Sequence, residues 1–213
     1  MSEYHKINSI FKRDMDAPGR PLIVGSWAAD EFEYLADNQW IFTEKVDGTN
    51  IRVIVGQDGS VTFGGRTDRA QLPADLVVRL QERFLAQSAR LAELFPSGAV
   101  LYGEGYGPGI QKGGGLYRQD KDFVLFDTRV GDWWLRREAV TDTANALSID
   151  VVPVIGSGTL WEAVGMAQDG ITSTWGNFLA EGVVARPLVE LRNRAGSRII
   201  AKIKCCDFRG GRV

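Results

Sequence analysis

Short apolar runs that carry a polar cluster at the end or on the face recur along the chain from Trp40 to Phe208. The first is WIFTEKVDGTNIRVIVG, Trp40 to Gly56, where an apolar run enters the knot Thr43-Glu44-Lys45-Val46-Asp47-Gly48-Thr49-Asn50 and an alternating run leaves it. The others are GGRTD (Gly64 to Asp68), LYGEGYG (Leu101 to Gly107), LAEGVVARP (Leu179 to Pro187) and IIAKIKCCDF (Ile199 to Phe208). Apolar residues at a period of two make half-buried strands. A chain so patterned must build sheets and carry its polar knots at strand ends or on strand faces. The expected class is α+β, with mainly antiparallel sheets and helices on their outer faces.

Asn50 to Gly56 alternates, Gln57-Asp58-Gly59-Ser60 reads as a turn, and Val61-Thr62-Phe63 pairs back. With Trp40 to Glu44 added, these segments predict an antiparallel meander. Pro73 to Phe95 spaces Leu76, Leu80, Phe84 and Leu91 at helical intervals, with Pro73 near the start and Pro96 beyond the end. One long amphipathic helix is expected there. Strands at Val100 to Gly105 and Phe123 to Thr128 flank a loop, GPGIQKGGGLYRQDK, that is too rich in glycine to be regular. A loop of that length has a function or is disordered. Short helices are expected over Arg137 to Leu147 and Thr159 to Ala167, around a strand from Val151 to Ile155. The last strands are Gly182 to Arg186 and Arg198 to Lys204.

The 213 residues are 44% hydrophobic and 24% charged, enough to bury one large core or two closely joined ones. With 25 basic and 27 acidic residues the net charge is -2, so a nucleic-acid surface has to be a local patch. There is no apolar run of about 18 residues, and MSEYHKINSIFKRD lacks the apolar stretch of a signal peptide, which predicts a cytoplasmic protein. Cys205 and Cys206 are adjacent, a spacing suited neither to a structural disulfide nor to a metal site. His5 is the single histidine, so Ser/His/Asp, Cys/His and HExxH chemistries lack a part. Catalysis falls to Lys, Arg, Asp and Glu.

Lys45 has two readings that its neighbours do not separate. Asp47-Gly48 makes a tight turn with Lys45 as a solvated strand end, or the amine of Lys45 is a reagent. Lys202 and Lys204 are two apart and project from one strand face, where like charges repel unless an anion joins them. Glu104 and Glu181 are each followed by a glycine, where backbone can approach a ligand closely. Carboxylates, lysines and an arginine on facing strands suit a metal and a polyphosphate. Phe126, in FVLFD, is either core or an aromatic face for a base.

Taken in order, EKVDGTN, GGRTD, YGEGYGPGIQK, KDFVLFDTR, AEGVVARP and RIIAKIKCCDF resemble the successive nucleotidyltransferase motifs of ATP-dependent ligases and capping enzymes. The closest resemblance is to the phage RNA ligase 2 family and its editing-ligase relatives. It rests on the GTN after the lysine, the GPGIQK after the glutamate, the KDF opening the aromatic strand and the KIKC ending. A looser echo lies at KINSI and PVIGSG.

The resemblance implies a nucleotidyltransferase (ATP-grasp-like ligase) domain, with two antiparallel β-sheets flanking a nucleotide cleft and helices outside. It implies ATP with Mg²⁺ or Mn²⁺ and, as partner, RNA with 5′-phosphate and 3′-hydroxyl ends, with DNA as the alternative. Lys45 would attack the α-phosphate of ATP to form lysyl-AMP. Glu44 would recognise adenine, Phe126 would stack on it, and Asn50 would join the nucleotide contacts. Glu104 would hold the ribose and approach the metal, and Asp47 and Glu181 would organise the ion and its waters. Lys202 and Lys204 would contact the α-phosphate, and Arg66 the nucleotide or the 5′-phosphate end. A lysine with a reference pKa of roughly 10.4 is protonated at neutral pH, and lowering it by about three units costs about 4 kcal/mol. Neighbouring cations favour the neutral amine and also neutralise charge on the phosphoryl oxygens.

Family members carry a helical C-terminal domain or an OB-fold after the KIKC motif, whereas this sequence ends at Val213. The expectation is a single adenylyltransferase domain over 1–213, with an accessory protein in place of the further domain. Asp47 stands where the nearest relatives often have another residue. A minimal DNA ligase, a guanylyltransferase and a non-catalytic nucleotide or RNA-end binding protein are the competing readings.

Overall fold

A computed structural model describes residues 3–209. The chain runs β1 (Asn8–Ser9), β2 (Phe11–Arg13), β3 (Leu22–Trp27), α1 (Asp30–Tyr34), β4 (Trp40–Lys45), β5 (Thr49–Val55) and β6 (Val61–Gly64). It continues with α2 (Ala74–Phe84), α3 (Ser88–Leu94), β7 (Ala99–Tyr106), α4 (Gly114–Tyr117), β8 (Asp122–Val130) and β9 (Trp133–Trp134). The last elements are α5 (Arg137–Ala146), β10 (Asp150–Val151), β11 (Val154–Gly158), α6 (Leu160–Asp169), β12 (Gly182–Pro187) and β13 (Ala201–Lys204).

These elements fall into two compact units. One comprises the segment ending at Tyr4 with Asp47–Val152, and the other His5–Val46 with the chain from Pro153 onward. In the first, the strands lie in the order β10-β8-β7-β5-β6, with β9 beside β8. In the second, the order is β1-β13-β12-β4-β11, and β2 and β3 form a separate pair. Pairing is antiparallel except at β1–β13 and β10–β8, so the expected α+β class with mainly antiparallel sheets holds, with a parallel strand at one edge of each sheet.

The expected meander of β4 with β5 and β6 does not form. β4 pairs with β11 and β12, while β5 pairs with β6 and β7. Two cores explain the division. Trp40 and Phe42 of β4 pack with Val183, Ala185, Ala201 and Ile203 and with Leu160, Ala163, Val164 and Ala167 of α6. Ile51, Val53 and Val55 of β5 pack with Leu101, Phe123 and Leu125 and with Leu76, Leu80 and Phe84 of α2. Each fully buried Leu, Val, Ile or Phe contributes about 1.5–3 kcal/mol, so neither strand can surrender its own core.

The helix expected over Pro73 to Phe95 is interrupted. Between α2 and α3 a 3₁₀ turn covers Leu85–Gln87. The side-chain amide of Gln87 donates to the Arg83 carbonyl at 2.8 Å and to the Leu147 carbonyl at 3.0 Å, supplying the bond that the broken α pattern leaves open. Elsewhere the helix signals hold. Thr159 caps α6 through a capping box in which it accepts from the Glu162 amide at 3.2 Å and Glu162 accepts from the Thr159 amide at 2.7 Å. The strand expected over Val151 to Ile155 is divided around Pro153 into β10 and β11, which belong to different sheets. β13 begins only at Ala201, because Arg198 turns aside to a bidentate pairing with Glu190.

The glycine-rich loop is ordered. It contains α4, and Arg118 just after it reaches Asp122, whose carboxylate is 2% exposed. Asp122 takes Arg83 at 2.5 Å, Arg118 at 2.8 Å and Arg79 at 3.3 Å. Burial opposes the charge on Arg118, but its acidic and tyrosine partners raise its pKa above the usual guanidinium range. Cys205 is buried, which pushes its thiol upward, whereas Cys206 is exposed. Among the described residues no helix is long and apolar enough to cross a membrane.

Asp122→Ala would leave three guanidiniums around an empty space. Breaking a buried ion network by removing one partner costs about 3–5 kcal/mol, which for a chain of this size lowers Tm by roughly 6–20 °C. Glu93→Ala, whose pair with Arg90 is exposed on both sides, is expected to shift stability by less than about 0.5 kcal/mol. Thermal melts of the two variants check the contrast.

Candidate functional site

Three adjacent strands, β4, β12 and β13, place the charged residues of one unit. Lys45 stands opposite Gly182 and Glu44 opposite Val183, while Gly182 also stands opposite Lys204 and Val184 opposite Lys202. Because strand residues alternate, Lys202 and Lys204 share a face and Ala201 and Ile203 point into the core. Glu181, just before β12, bridges that face. Its Oε2 accepts from Lys45 Nζ at 2.5 Å and its Oε1 from Lys204 Nζ at 2.6 Å. Lys45, Glu181 and Lys204 are 22%, 14% and 33% exposed, so the three charges are partly withdrawn from water. Burial works against the Lys204 ammonium, yet the adjoining Glu181 carboxylate outweighs it and raises its pKa.

Glu181 is thus the anion that stands between Lys45 and Lys204. One carboxylate between two ammoniums leaves this group of three at +1. At an effective dielectric of 20 a unit charge pair 4 Å apart interacts by about 4 kcal/mol, so a phosphate brought here meets a strong field.

Glu44 points the other way from Lys45. It is 1% exposed, and its carboxylate accepts from Ser173 Oγ at 2.6 Å and from the amide and hydroxyl of Thr174, both at 2.9 Å. Sequence reasoning missed Ser173 and Thr174, since a Ser-Thr pair in a polar loop has no periodicity to mark it.

The remaining predicted residues lie in the other unit. Asn50 on β5 is the register partner of Glu104 on β7, so the two side chains share a sheet face. Asn50 Oδ1 is buried with no hydrogen-bond partner among the described residues. An acceptor placed so has a desolvation cost of about 1–3 kcal/mol unless a ligand donor meets it. Asp47 Oδ2 accepts from the Gly113 amide at 3.3 Å, the Asp47 amide donates to Tyr117 Oη at 3.2 Å, and the Gln111 side chain donates to the Gly48 carbonyl at 3.2 Å. The GPGIQK loop is thus tied to the Asp-Gly pair that follows Lys45.

Gly48 is glycine for reasons of space. A Cβ there would stand 2.3 Å from the Gly105 carbonyl oxygen and 2.7 Å from Glu104 Cγ. The glycines after the two glutamates are required by packing as well. A Cβ at Gly105 would meet Leu76 Cδ2 at 2.6 Å, and one at Gly182 would meet the Ile203 carbonyl oxygen at 2.0 Å.

Phe126 occupies an extra position in β8, because Tyr102 pairs with Asp127 and Gly103 with Leu125. Such a bulge re-aims a side chain. The Phe126 ring is half-buried and meets Tyr4 edge-on at 5.1 Å, and Tyr4 Oη donates to Asp127 at 2.9 Å. Arg66 lies exposed in the loop after β6. The structure therefore joins Lys45, Glu181 and Lys204 directly and aligns Asn50 with Glu104. It leaves Glu44 on its own polar cluster and Arg66 on a separate loop.

Among the described residues no group of three or more His, Cys, Asp or Glu side chains is arranged to hold a metal. The donors fit a hard divalent cation only in the manner of Mg²⁺ or Mn²⁺ sites, one or two carboxylates completed by water and phosphate oxygens.

The RNA ligase family model matches residues 38–204. A Naegleria gruberi RNA ligase mutant without ligand is similar at 19% identity and a TM-score of 0.65, covering 85% of this chain and 54% of that one. A mutant of the same enzyme with ATP and Mn is similar at 18% identity and a TM-score of 0.67, covering 96% and 56%. Another, with AMP and Mn, matches at 18% identity and a TM-score of 0.63, covering 82% and 52%. The likeness is one of fold, and the chain spans about half the length of those structures.

Gly48→Ala is expected to push Glu104 and the β7 backbone out of register with β5. The predicted loss is about 1–3 kcal/mol, as for other overpacked sites, read by urea titration. A variant as stable as the wild type would contradict the close approach.

Proposed function

The chain belongs to the RNA ligase family, and on that premise we propose that it is an ATP-dependent RNA ligase working through lysyl-AMP on Lys45. The observation that carries the reading is the Lys45–Glu181–Lys204 group on one sheet face. The Naegleria structures with ATP or AMP and Mn support nucleotide and divalent metal as the ligands.

In the first step Lys45 Nζ gives a proton to solvent, and the neutral amine forms a bond to the α-phosphorus of ATP. The α-phosphorus–oxygen bond to the leaving group breaks, and pyrophosphate departs with the electron pair. Lys204 and Lys202 hold the α-phosphate oxygens as charge builds on them. Glu181 gives up its contact with Lys45 and retains Lys204, so the amine is freed without unmooring the second cation. The motif resemblance would give Phe126 the stacking on adenine, Glu44 its recognition, and Asn50 and Glu104 the contacts with the sugar. Asp47, Glu104 and Glu181 would hold Mg²⁺ or Mn²⁺ through water, and the ion would neutralise phosphate charge.

In the second step an oxygen of the RNA 5′-phosphate attacks the same phosphorus. The nitrogen–phosphorus bond breaks, the Lys45 amine is regenerated, and AMP is joined to the RNA end. Arg66 would hold that end. In the third step a 3′-hydroxyl attacks the activated 5′-phosphate, AMP leaves, and a phosphodiester remains.

Incubation with [α-³²P]ATP and Mn²⁺ is expected to label the protein covalently, and Lys45→Ala to abolish the label. Addition of 5′-phosphorylated RNA should discharge it into an adenylylated strand. A wild-type protein that takes no label, or a Lys45→Ala variant that keeps it, would overturn the reading. Joining of nicked DNA in preference to RNA ends would reassign the substrate.

A further inference from the structure

Arg52 lies on β5 between Ile51 and Val53, two residues after Asn50, and yet is 1% exposed. Taking a guanidinium out of water costs several kcal/mol, and apolar packing of similar volume often serves stability as well or better. A side chain held at that cost should be doing something its neighbours cannot. Its side-chain hydrogen bonds run to one loop, while Nη1 is buried with no partner among the described residues. Nε donates to the Gly65 carbonyl at 2.7 Å, and Nη2 pairs with Asp68 Oδ1 at 2.7 Å. Gly64 packs against the guanidinium so closely that a Cβ there would be 3.0 Å from Nη2 and 3.4 Å from Cζ. Arg52 thus grips the chain on both sides of the exposed Arg66.

The loop is folded tightly around that grip. The Ala70 amide donates to the Thr67 carbonyl at 3.1 Å, and a Cβ on Gly65 would stand 2.7 Å from the Ala70 Cβ. Arg52, by its hydrogen bond first and its charge second, holds the Asp68 carboxyl below the usual carboxylate range. Asp68 itself is 70% exposed, so the tether ends at the surface.

We propose that Arg52 is a positioning residue. Anchored on Gly65 and Asp68, it fixes the loop so that the Arg66 guanidinium is presented to a phosphate group. The proposal rests on the ligase reading for the identity of that phosphate, which belongs either to the nucleotide or to the RNA 5′ end. It assigns a task to the Arg52–Asp68 pair that neither composition nor motif order marks.

Two readouts test it, and one does not depend on activity. Trypsin cuts after exposed arginines only where the backbone can open locally. Asp68→Asn keeps the shape of the side chain and weakens the tether, and Arg52→Lys keeps the charge but loses the forked donor geometry. Both variants are expected to be cut after Arg66 or Arg69 about 10-fold faster than wild type, with Asp68→Asn leaving Tm close to that of wild type. Unchanged cutting in both would overturn the clamp, whatever the protein's activity.

The second readout is a double-mutant cycle on the labelled-AMP reaction. Loss of a charged hydrogen bond corresponds to roughly 10-fold or more in rate, so Arg66→Ala and Arg52→Lys are each expected to lower their step by about that factor. In the Arg66→Ala background, Arg52→Lys should add less than about 2-fold. Independent losses that multiply would show that Arg52 acts on the fold and not through Arg66. An ATP arm and a 5′-phosphorylated RNA arm distinguish which phosphate Arg66 holds. A wild-type protein that takes no label would sink the ligase reading, while the tryptic result would still decide the clamp.

Discussion

The carboxylate of Glu181 holds two ammonium groups on one sheet face, and the chemistry of the molecule turns on that contact. Lys45 and Lys204 come from strands that flank β12, so their amines are brought within reach of each other by strand pairing alone. Without an anion between them they would repel. Glu181 makes the arrangement stable, and because it balances only one of the two charges it leaves the face attractive to a phosphate. One interaction thus lets two ammonium groups stand side by side in the folded state and fits the proposed site for a polyanion. The same logic extends to Lys202, which alternation places on the same face.

Much of this was legible in the residues. Lys202 and Lys204 had to share a face because strand geometry has a period of two, and the requirement for an anion beside them followed from like-charge repulsion. What the residues did not disclose was that Glu181, more than twenty positions from Lys204 in the chain, stands between Lys204 and Lys45. Strand runs with their own apolar residues, such as β5, β7, β8 and β12, were read within a residue or two. The pairing of β4 was not, because an Asp-Gly between two strand-like runs has the signature of a hairpin whether the strands pair or part. The separate cores beneath Phe42 and Ile51 decide the matter, and membership of a core is a long-range property.

The glycines have a packing role that local reasoning did not see. Gly105 and Gly182 follow the two glutamates, and the pattern suits backbone held close to a ligand. Their missing side chains make room for Leu76 and for the backbone of β13. The glutamates are placed accurately because the next residue lets a helix or a strand come close, so the glycines act on the site through packing. Arg52 is the converse case. It stands where alternation calls for a polar residue facing water, yet it is buried, and its contacts with Gly65 and Asp68 show what it holds.

The account stands or falls on what Glu181 does when Lys45 becomes covalently occupied. A crystal structure of the protein after incubation with ATP and Mn²⁺ tests this most directly. The predicted result is a bond from Lys45 Nζ to the phosphorus of AMP, with Glu181 released from Lys45 and still paired with Lys204. AMP carried on another residue, or AMP held non-covalently with the Lys45–Glu181 pair intact, would contradict it.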